Sequence, residues 1–141
     1  GNGDLGYFIN PKSNSIDNWF YRNGNMGCSS DTVIPLKDSY QVKNPNLKIA
    51  VLIGEVTSSS GEMTAVAFIG KPNVKTFGKP TGGFTTANGS YKLSDGSYLN
   101  LANSFVMDRN GKKYLGPIIP DIIIDGNQVT LVKALEWLEE K

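Results

Sequence analysis

The sequence predicts an α/β fold in a single domain with β-hairpin elaborations, and a strand-helix-strand pattern carries this prediction. Residues 47–54 (LKIAVLIG) are nearly continuously apolar, as expected of a parallel strand covered on both faces. Residues 61–70 (GEMTAVAFIG) fit a short buried helix, and residues 74–78 (VKTFG) fit the strand that follows. These three segments predict a β-α-β unit with a right-handed crossover.

The first forty residues predict short strands rather than helices. Aromatic segments at 5–9 and 18–22 alternate with turn signals rich in Asn, Gly and Ser. Residues 31–37 (DTVIPLK) predict a further extended piece, and Pro35 favours the edge of a sheet because proline cannot donate to a strand ladder. The aromatic side chains of this region are expected to pack in the core.

The second half predicts a meander that ends in a helix. Residues 91–101 form a hairpin around Ser94-Asp95-Gly96, and strands are expected at 104–108 and 120–125. Residues 129–141 predict an amphipathic helix. Its apolar stripe consists of Leu131, Ala134, Leu135 and Leu138.

The composition excludes several classes of protein. A chain of 141 residues with 39% hydrophobic and 19% charged residues is typical of one globular domain. Its 14 basic and 13 acidic residues are dispersed, so no nucleic-acid partner is predicted. No apolar run reaches the roughly 20 residues of a transmembrane helix. Cys28 is the single cysteine and histidine is absent, which argues against an internal disulfide and structural zinc.

The serines at 58–60 have two interpretations. Ser59 and Glu62 match the S-x-x-E capping box, which stabilises a helix by about 1 kcal/mol and needs no chemistry. Alternatively, a serine on a tight turn between a strand and a helix presents its hydroxyl as a nucleophile, beneath backbone N–H groups. The spacing fits both interpretations.

Several blocks in order resemble one peptidase family: LIGEVTSSSGEM, the segment GKPTGGFTTAN, then LSDGSYLNL, DRNG and PIIPDIII. The chain is similar to the tail-specific, or C-terminal-processing, serine peptidases, and within them to the bacterial branch with nisin-resistance-type proteins. The resemblance implies a crotonase- or Clp-protease-like αβα core without metal or organic cofactor. It implies that Ser59 is the nucleophile and that the Ser60 backbone N–H lines the oxyanion hole. It also places Gly82, Gly83, Phe84 and Thr85 beside the substrate.

The residue that activates the serine is not evident in the sequence. Phe84 stands where one branch of the family has a lysine base, so the resemblance favours the branch with a histidine from the N-terminal region. That histidine would lie before Gly1, in keeping with a start that reads as mid-protein sequence. Lys79 is an alternative base, although a lysine there is more often solvated. Lys113 and Tyr114 stand where some members have a late acid, and the nearby Asp108 and Asp121 are expected to be structural.

The resulting hypothesis is a serine peptidase that cleaves peptide bonds near the C-terminus of peptide or protein substrates. Residues 1–141 would be its C-terminal catalytic portion, inactive alone, with the N-terminal part of the same protein as partner. An extracytoplasmic location, anchored to the cell envelope or secreted, is implied by the resemblance. One alternative is a noncatalytic peptide-binding or immunity protein on the same fold. Another is a thioesterase or CoA-site enzyme, which the lack of a basic patch disfavours.

Overall fold

The computed structural model describes residues 2–29, 31–35, 38 and 42–140, and this part of the chain forms ten strands and two helices. The first strands are β1 (Gly3–Ile9), β2 (Ile16–Arg22), β3 (Asn25–Cys28), β4 (Asp31–Pro35) and β5 (Ile49–Ile53). Helix α1 (Ser60–Phe68) follows, and then come β6 (Val74–Gly78), β7 (Thr86–Lys92), β8 (Tyr98–Met107), β9 (Lys113–Tyr114), β10 (Ile122–Ile123) and helix α2 (Asn127–Glu139).

The smaller sheet is parallel and has the strand order β10-β6-β5. Strands β5 and β6 pair from Ile49 opposite Val74 to Ile53 opposite Gly78, and α1 connects them. The predicted β-α-β unit is therefore confirmed, because adjacent parallel strands require a crossover of this kind.

Helices cover both faces of this smaller sheet. On one face, Val51 and Ile53 of β5 pack in the same apolar cluster as Val66 of α1. On the other face, the ring of Phe77 in β6 lies 5.6 Å from that of Trp137 in α2. The predicted α/β fold with an αβα core is confirmed by this layering.

The larger sheet is antiparallel and has the order β4-β3-β2-β1-β8-β7, with β9 paired to β8. Pro35 ends the edge strand β4, as its missing N–H predicts. The hairpin turn around residues 94–96 is confirmed, and the Leu93 N–H donates to the Ser97 carbonyl at 2.8 Å. The segments predicted at 97–101 and 104–108 form one continuous strand, β8, because both pair with the same neighbour, β7.

The hydrophobic core lies where α1 meets the larger sheet. Trp19 of β2 and Val106 of β8 are buried there together with Ile118, and Phe8 stacks beside Trp19 with ring centroids 4.8 Å apart. This packing holds the start of α1 at a defined position over the ends of the parallel strands.

Two packing predictions are wrong. Leu52 of β5 is 47% exposed, so the described residues do not cover both faces of this strand along its whole length. Helix α2 is also rotated relative to the predicted stripe: Ala134 is buried as expected, but Leu131 and Leu135 are each 48% exposed, and Thr130 is buried instead.

The buried face of α2 approaches the sheet near Gly78. A Cβ atom on Gly78 would lie 3.6 Å from Cγ2 of Thr130, and it would overlap the Ile53 carbonyl oxygen of the neighbouring strand. Thr130 and Ala134 are the buried residues on this helix face, and Trp137 of the same face packs against Phe77.

We expect Gly78→Ala to destabilise the fold far more than Gly96→Ala. Both glycines have positive φ, +120° and +87°, so each substitution carries a backbone cost of about 1–2 kcal/mol. A Cβ on Gly96 meets nothing within 4 Å, whereas one on Gly78 overlaps backbone. Urea denaturation should show a loss in the free energy of unfolding for Gly78→Ala at least about twice that for Gly96→Ala. Equal losses would contradict the close approach.

Candidate active site

Ser59 lies on the sharp turn between β5 and α1 and has an unusual backbone conformation. Its φ is 52° and its ψ is −117°, a region that non-glycine residues rarely occupy, and its side chain is exposed. Strain of this kind persists only where surrounding structure enforces it, and it clusters at functional sites. A serine on a strained strand-to-helix turn with an exposed hydroxyl has the geometry of a nucleophile elbow.

The buried carboxylate of Glu62 holds this turn in place. Glu62 is completely buried, and its Oε2 accepts the Ser59 backbone N–H at 2.8 Å. Its Oε1 accepts the Gly83 N–H at 2.8 Å and also the Thr81 hydroxyl. The Thr81 oxygen in turn accepts the Ile118 N–H at 2.8 Å. The Glu62 side chain therefore links the serine turn directly to residues 81–83 and, through Thr81, to Ile118.

The capping interpretation and the nucleophile interpretation are compatible in this geometry. Ser59 and Glu62 face each other as in a capping box, so that prediction is correct. The glutamate half is a hydrogen bond, from the Ser59 N–H to Glu62 Oε2 at 2.8 Å, whereas the Ser59 hydroxyl faces the Glu62 N–H without forming a side-chain capping hydrogen bond. The glutamate thus caps the turn, and the serine Oγ stays available for chemistry.

The neighbouring serines differ from Ser59 in conformation. Ser60 is the first residue of α1, so its backbone N–H has no acceptor within the helix and lies at the positive end of the helix dipole. The Ser58 hydroxyl donates to the Val56 carbonyl at 3.4 Å. Positive φ among these three residues is confined to Ser59.

The segment predicted to border the substrate divides into an exposed part and a buried part. Gly82 donates its N–H to the Thr57 carbonyl at 2.8 Å, which places the segment directly against the serine turn. Phe84 is 66% exposed. Thr85, in contrast, is completely buried, and its hydroxyl donates to the Gly116 carbonyl at 3.0 Å. The prediction that Thr85 contacts substrate is therefore corrected, because its side chain is sealed in the core.

Lys79 is held in an ion pair rather than poised as a base. Its Nζ lies 2.8 Å from Asp125 Oδ1 and 3.7 Å from Glu55 Oε1. The hydrogen bond with Asp125 and the two negative charges raise the pKa of Lys79 above its ordinary value. A lysine base needs the opposite shift, so the geometry argues against Lys79 as the activating group.

The two aspartates near the end of the chain are structural, as expected. Asp108 is buried and accepts the Tyr114 hydroxyl at 2.8 Å and the Asn110 N–H at 2.9 Å. Burial, together with this hydrogen bond, raises the pKa of Tyr114 well above its ordinary value. Asp121 accepts both the N–H and the hydroxyl of Thr76, at 2.8 and 2.9 Å.

Sequence reasoning missed the part that Thr81 plays. Nothing in the pattern around it indicates a buried hydrogen bond to a residue 19 positions earlier. The one available signal was Glu62 itself, because a glutamate in a buried helix requires donors from somewhere. Within the described ranges, no cluster of three or more His, Cys, Asp or Glu residues could hold a metal ion, and no helix is long and apolar enough to cross a membrane.

Comparison with known proteins identifies relatives that share this architecture. The chain is 40% identical over 118 residues to a nisin-resistance protein of Lactococcus lactis subsp. lactis, covering 83% of this chain and 35% of that protein. A lipoprotein from Streptococcus agalactiae superposes with a TM-score of 0.76 at 33% identity, over 99% of this chain and 45% of the lipoprotein.

A third comparison extends the likeness at the level of the fold. A photosystem II D1 C-terminal processing protease superposes with a TM-score of 0.52 at 22% identity, over 88% of this chain and 28% of that protease. This chain thus spans less than half the length of each of these three proteins. Residues 12–124 match the profile of Peptidase family S41. The chain belongs to peptidase family S41.

Proposed function

We propose that this chain carries the nucleophilic half of a serine peptidase active site. The observation that supports the proposal best is the exposed Ser59 at positive φ, with its backbone N–H bonded to the buried Glu62. Membership of a peptidase family indicates the reaction class. The strained turn presents the Ser59 Oγ, which would be the nucleophile.

In the proposed reaction, the Ser59 Oγ attacks the carbonyl carbon of a peptide bond. The Ser60 N–H, at the first turn of α1, would donate to the oxyanion that forms, and the helix dipole would stabilise the same negative charge. Collapse of the tetrahedral intermediate releases the amine product and leaves an acyl-enzyme on Ser59. Water then hydrolyses the ester and regenerates the hydroxyl.

The general base in this proposal is a histidine from polypeptide outside these 141 residues. The chain contains no histidine, and the lysine nearest in pattern, Lys79, is paired with Asp125. The relatives that match are more than twice as long, so there is room in such proteins for a further segment. The base would take the Ser59 proton and return it to the leaving amine.

The proposed substrate is a peptide or protein cleaved near its C-terminus. This extends to the chain what the name of the D1 C-terminal processing protease says of that enzyme. Gly82 and Gly83 are hydrogen-bonded to the serine turn, through the Thr57 carbonyl and the Glu62 carboxylate, and the exposed Phe84 follows them in the chain. The small residues would let a peptide backbone approach, and the exposed ring would contact it. A cell-envelope location is proposed from the relative that is a lipoprotein.

We expect Ser59→Ala to abolish covalent labelling by a fluorophosphonate probe, whereas Ser58→Ala and Ser60→Ala retain it. The three serines are adjacent, so the two controls match the variant closely, and the Ser60 contribution would come from its backbone N–H. The measurement uses a longer protein that includes the segment proposed to supply the histidine. Removal of a nucleophile should lower peptide hydrolysis by at least about 1,000-fold. Retained labelling in Ser59→Ala would refute the assignment.

The 141-residue chain by itself is expected to hydrolyse no peptide measurably, because the proposed base lies outside it. Peptide hydrolysis and fluorophosphonate labelling would be compared between this chain and the longer protein at equal concentration. Robust hydrolysis by the short chain that disappears in Ser59→Ala would contradict the external base and return attention to Lys79.

We expect Glu62→Gln to impair the site more than Glu55→Gln, a matched change at a largely exposed glutamate. All three partners of Glu62 are donors, so an amide NH2 would face a donor and lose a hydrogen bond. The free energy of unfolding should fall by about 1–3 kcal/mol. In the folded fraction of the longer protein, kcat for peptide hydrolysis should fall by roughly 100-fold with little change in KM, because a displaced nucleophile slows chemistry more than binding. Unchanged kcat would mean that Glu62 only stabilises the fold.

A second candidate is a noncatalytic peptide-binding protein on the peptidase fold. The absence of histidine and the name of the nisin-resistance relative are compatible with it. Two kinds of measurement separate the candidates. A binding protein would keep its peptide affinity and its cellular effect in Ser59→Ala. The longer wild-type protein would also not be labelled by a fluorophosphonate.

A further inference from the structure

A cavity lies between α1 and the larger sheet, beside the core residues Trp19 and Phe8. Its volume is about 480 Å³. Phe8 of β1, Trp19 of β2 and Cys28 of β3 form the wall on the sheet, and Met63 and Ala67 form the wall on the helix. None of the contacts that hold Ser59 or Glu62 in place involves these side chains, so the cavity is distinct from the hydrogen-bonded site described above.

The helix gives the cavity its position relative to Ser59. Residues three and four apart share a helix face, so Ser60, Met63, Thr64 and Ala67 line one side of α1. The opposite side of the helix carries its buried residues, Glu62, Ala65 and Val66. Ser60 is bonded directly to Ser59, and the cavity therefore begins one residue from the candidate nucleophile.

The chemistry of the lining selects apolar groups. Among the residues that the structure describes, no charged side chain lines the cavity, and a charged group placed against this apolar lining would lose hydration. Two thioethers, Met26 and Met63, lie among the lining residues, and such side chains adapt to ligands of different shape. The volume falls within the range of about 300–1,000 Å³ that is common for small-ligand pockets.

We propose that this cavity is a specificity pocket for a large apolar side chain, aromatic or long aliphatic, of the peptide that Ser59 attacks. The inference rests on the proposed peptidase function and adds a substrate class to it. A peptide whose carbonyl carbon reaches Ser59 has a neighbouring side chain within reach of Ser60, which lines the cavity. Peptides with Phe or Leu at that position are bound in preference to peptides with Ala or Glu.

The cavity contains its own reporters, which allows a test that does not depend on catalysis. Cys28 is the single thiol of the chain and is partly buried in the wall, so its alkylation by iodoacetamide measures access. Trp19 lies in the same wall, and Trp137 is in α2, so a Trp137→Phe background leaves Trp19 as the single tryptophan. The probes are blocked tripeptide amides, Ala-Xaa-Ala, with Xaa equal to Phe, Leu, Ala or Glu.

We expect the Phe and Leu peptides to slow alkylation of Cys28 and to shift the emission of Trp19, with apparent affinities at least about tenfold above those of the Ala and Glu peptides. Thr64→Trp, which places a bulky ring in the cavity from the helix, should remove this protection. Ser90→Trp on the exposed β7–β8 hairpin is the matched control and should leave it unchanged.

Three results would overturn the proposal. The first is protection that is equal for Phe and Glu peptides, and the second is protection that survives Thr64→Trp. The third is Cys28 that is fully protected in the longer protein without any peptide, since another segment would then fill the cavity.

The test also separates this inference from the proposed function: apolar-selective protection without fluorophosphonate labelling of Ser59 would keep the pocket and reject the peptidase. Labelling of Ser59 without selective protection of Cys28 would keep the peptidase and reject the pocket.

Discussion

The buried carboxylate of Glu62 is the interaction on which the site depends. A charged side chain in a fully buried position is tolerated only when its hydrogen-bonding capacity is met, and here three donors meet it. Two of these donors, Ser59 N–H and Gly83 N–H, belong to segments that the proposed function assigns to the nucleophile and to the substrate. A single residue therefore determines both the conformation of the turn and its distance from the neighbouring segment.

The same arrangement explains how a strained serine persists at the surface. Positive φ at a residue with a Cβ is unfavourable, and the cost is offset where surrounding contacts leave the chain no alternative. At Ser59 those contacts are the Glu62 carboxylate on one side and the packed helix α1 on the other, which is anchored by Ala65 and Val66 in the core. A rigid support of this kind is what a nucleophile needs, because its reactivity depends on orientation.

The two sides of helix α1 make different contacts. One side carries the buried residues Glu62, Ala65 and Val66, while the other side faces the cavity beside Trp19. The chemistry proposed for Ser59 and the selectivity proposed for the cavity are therefore properties of one nine-residue helix. Phe84, in the segment that follows Gly82 and Gly83, is exposed and adds a further apolar surface near the Ser59 turn.

The sequence by itself determined the β5-α1-β6 unit, the hairpins and the facing pair Ser59 and Glu62, because each depends on residues a few positions apart. Family resemblance added the peptidase class. Only the tertiary structure decided that Thr81 and Gly83 complete the partners of Glu62, that Thr85 is sealed in the core, and that α2 meets the sheet through Thr130 rather than through its leucines. These contacts join segments about twenty or more residues apart, and local spacing carries no information about how such segments pack.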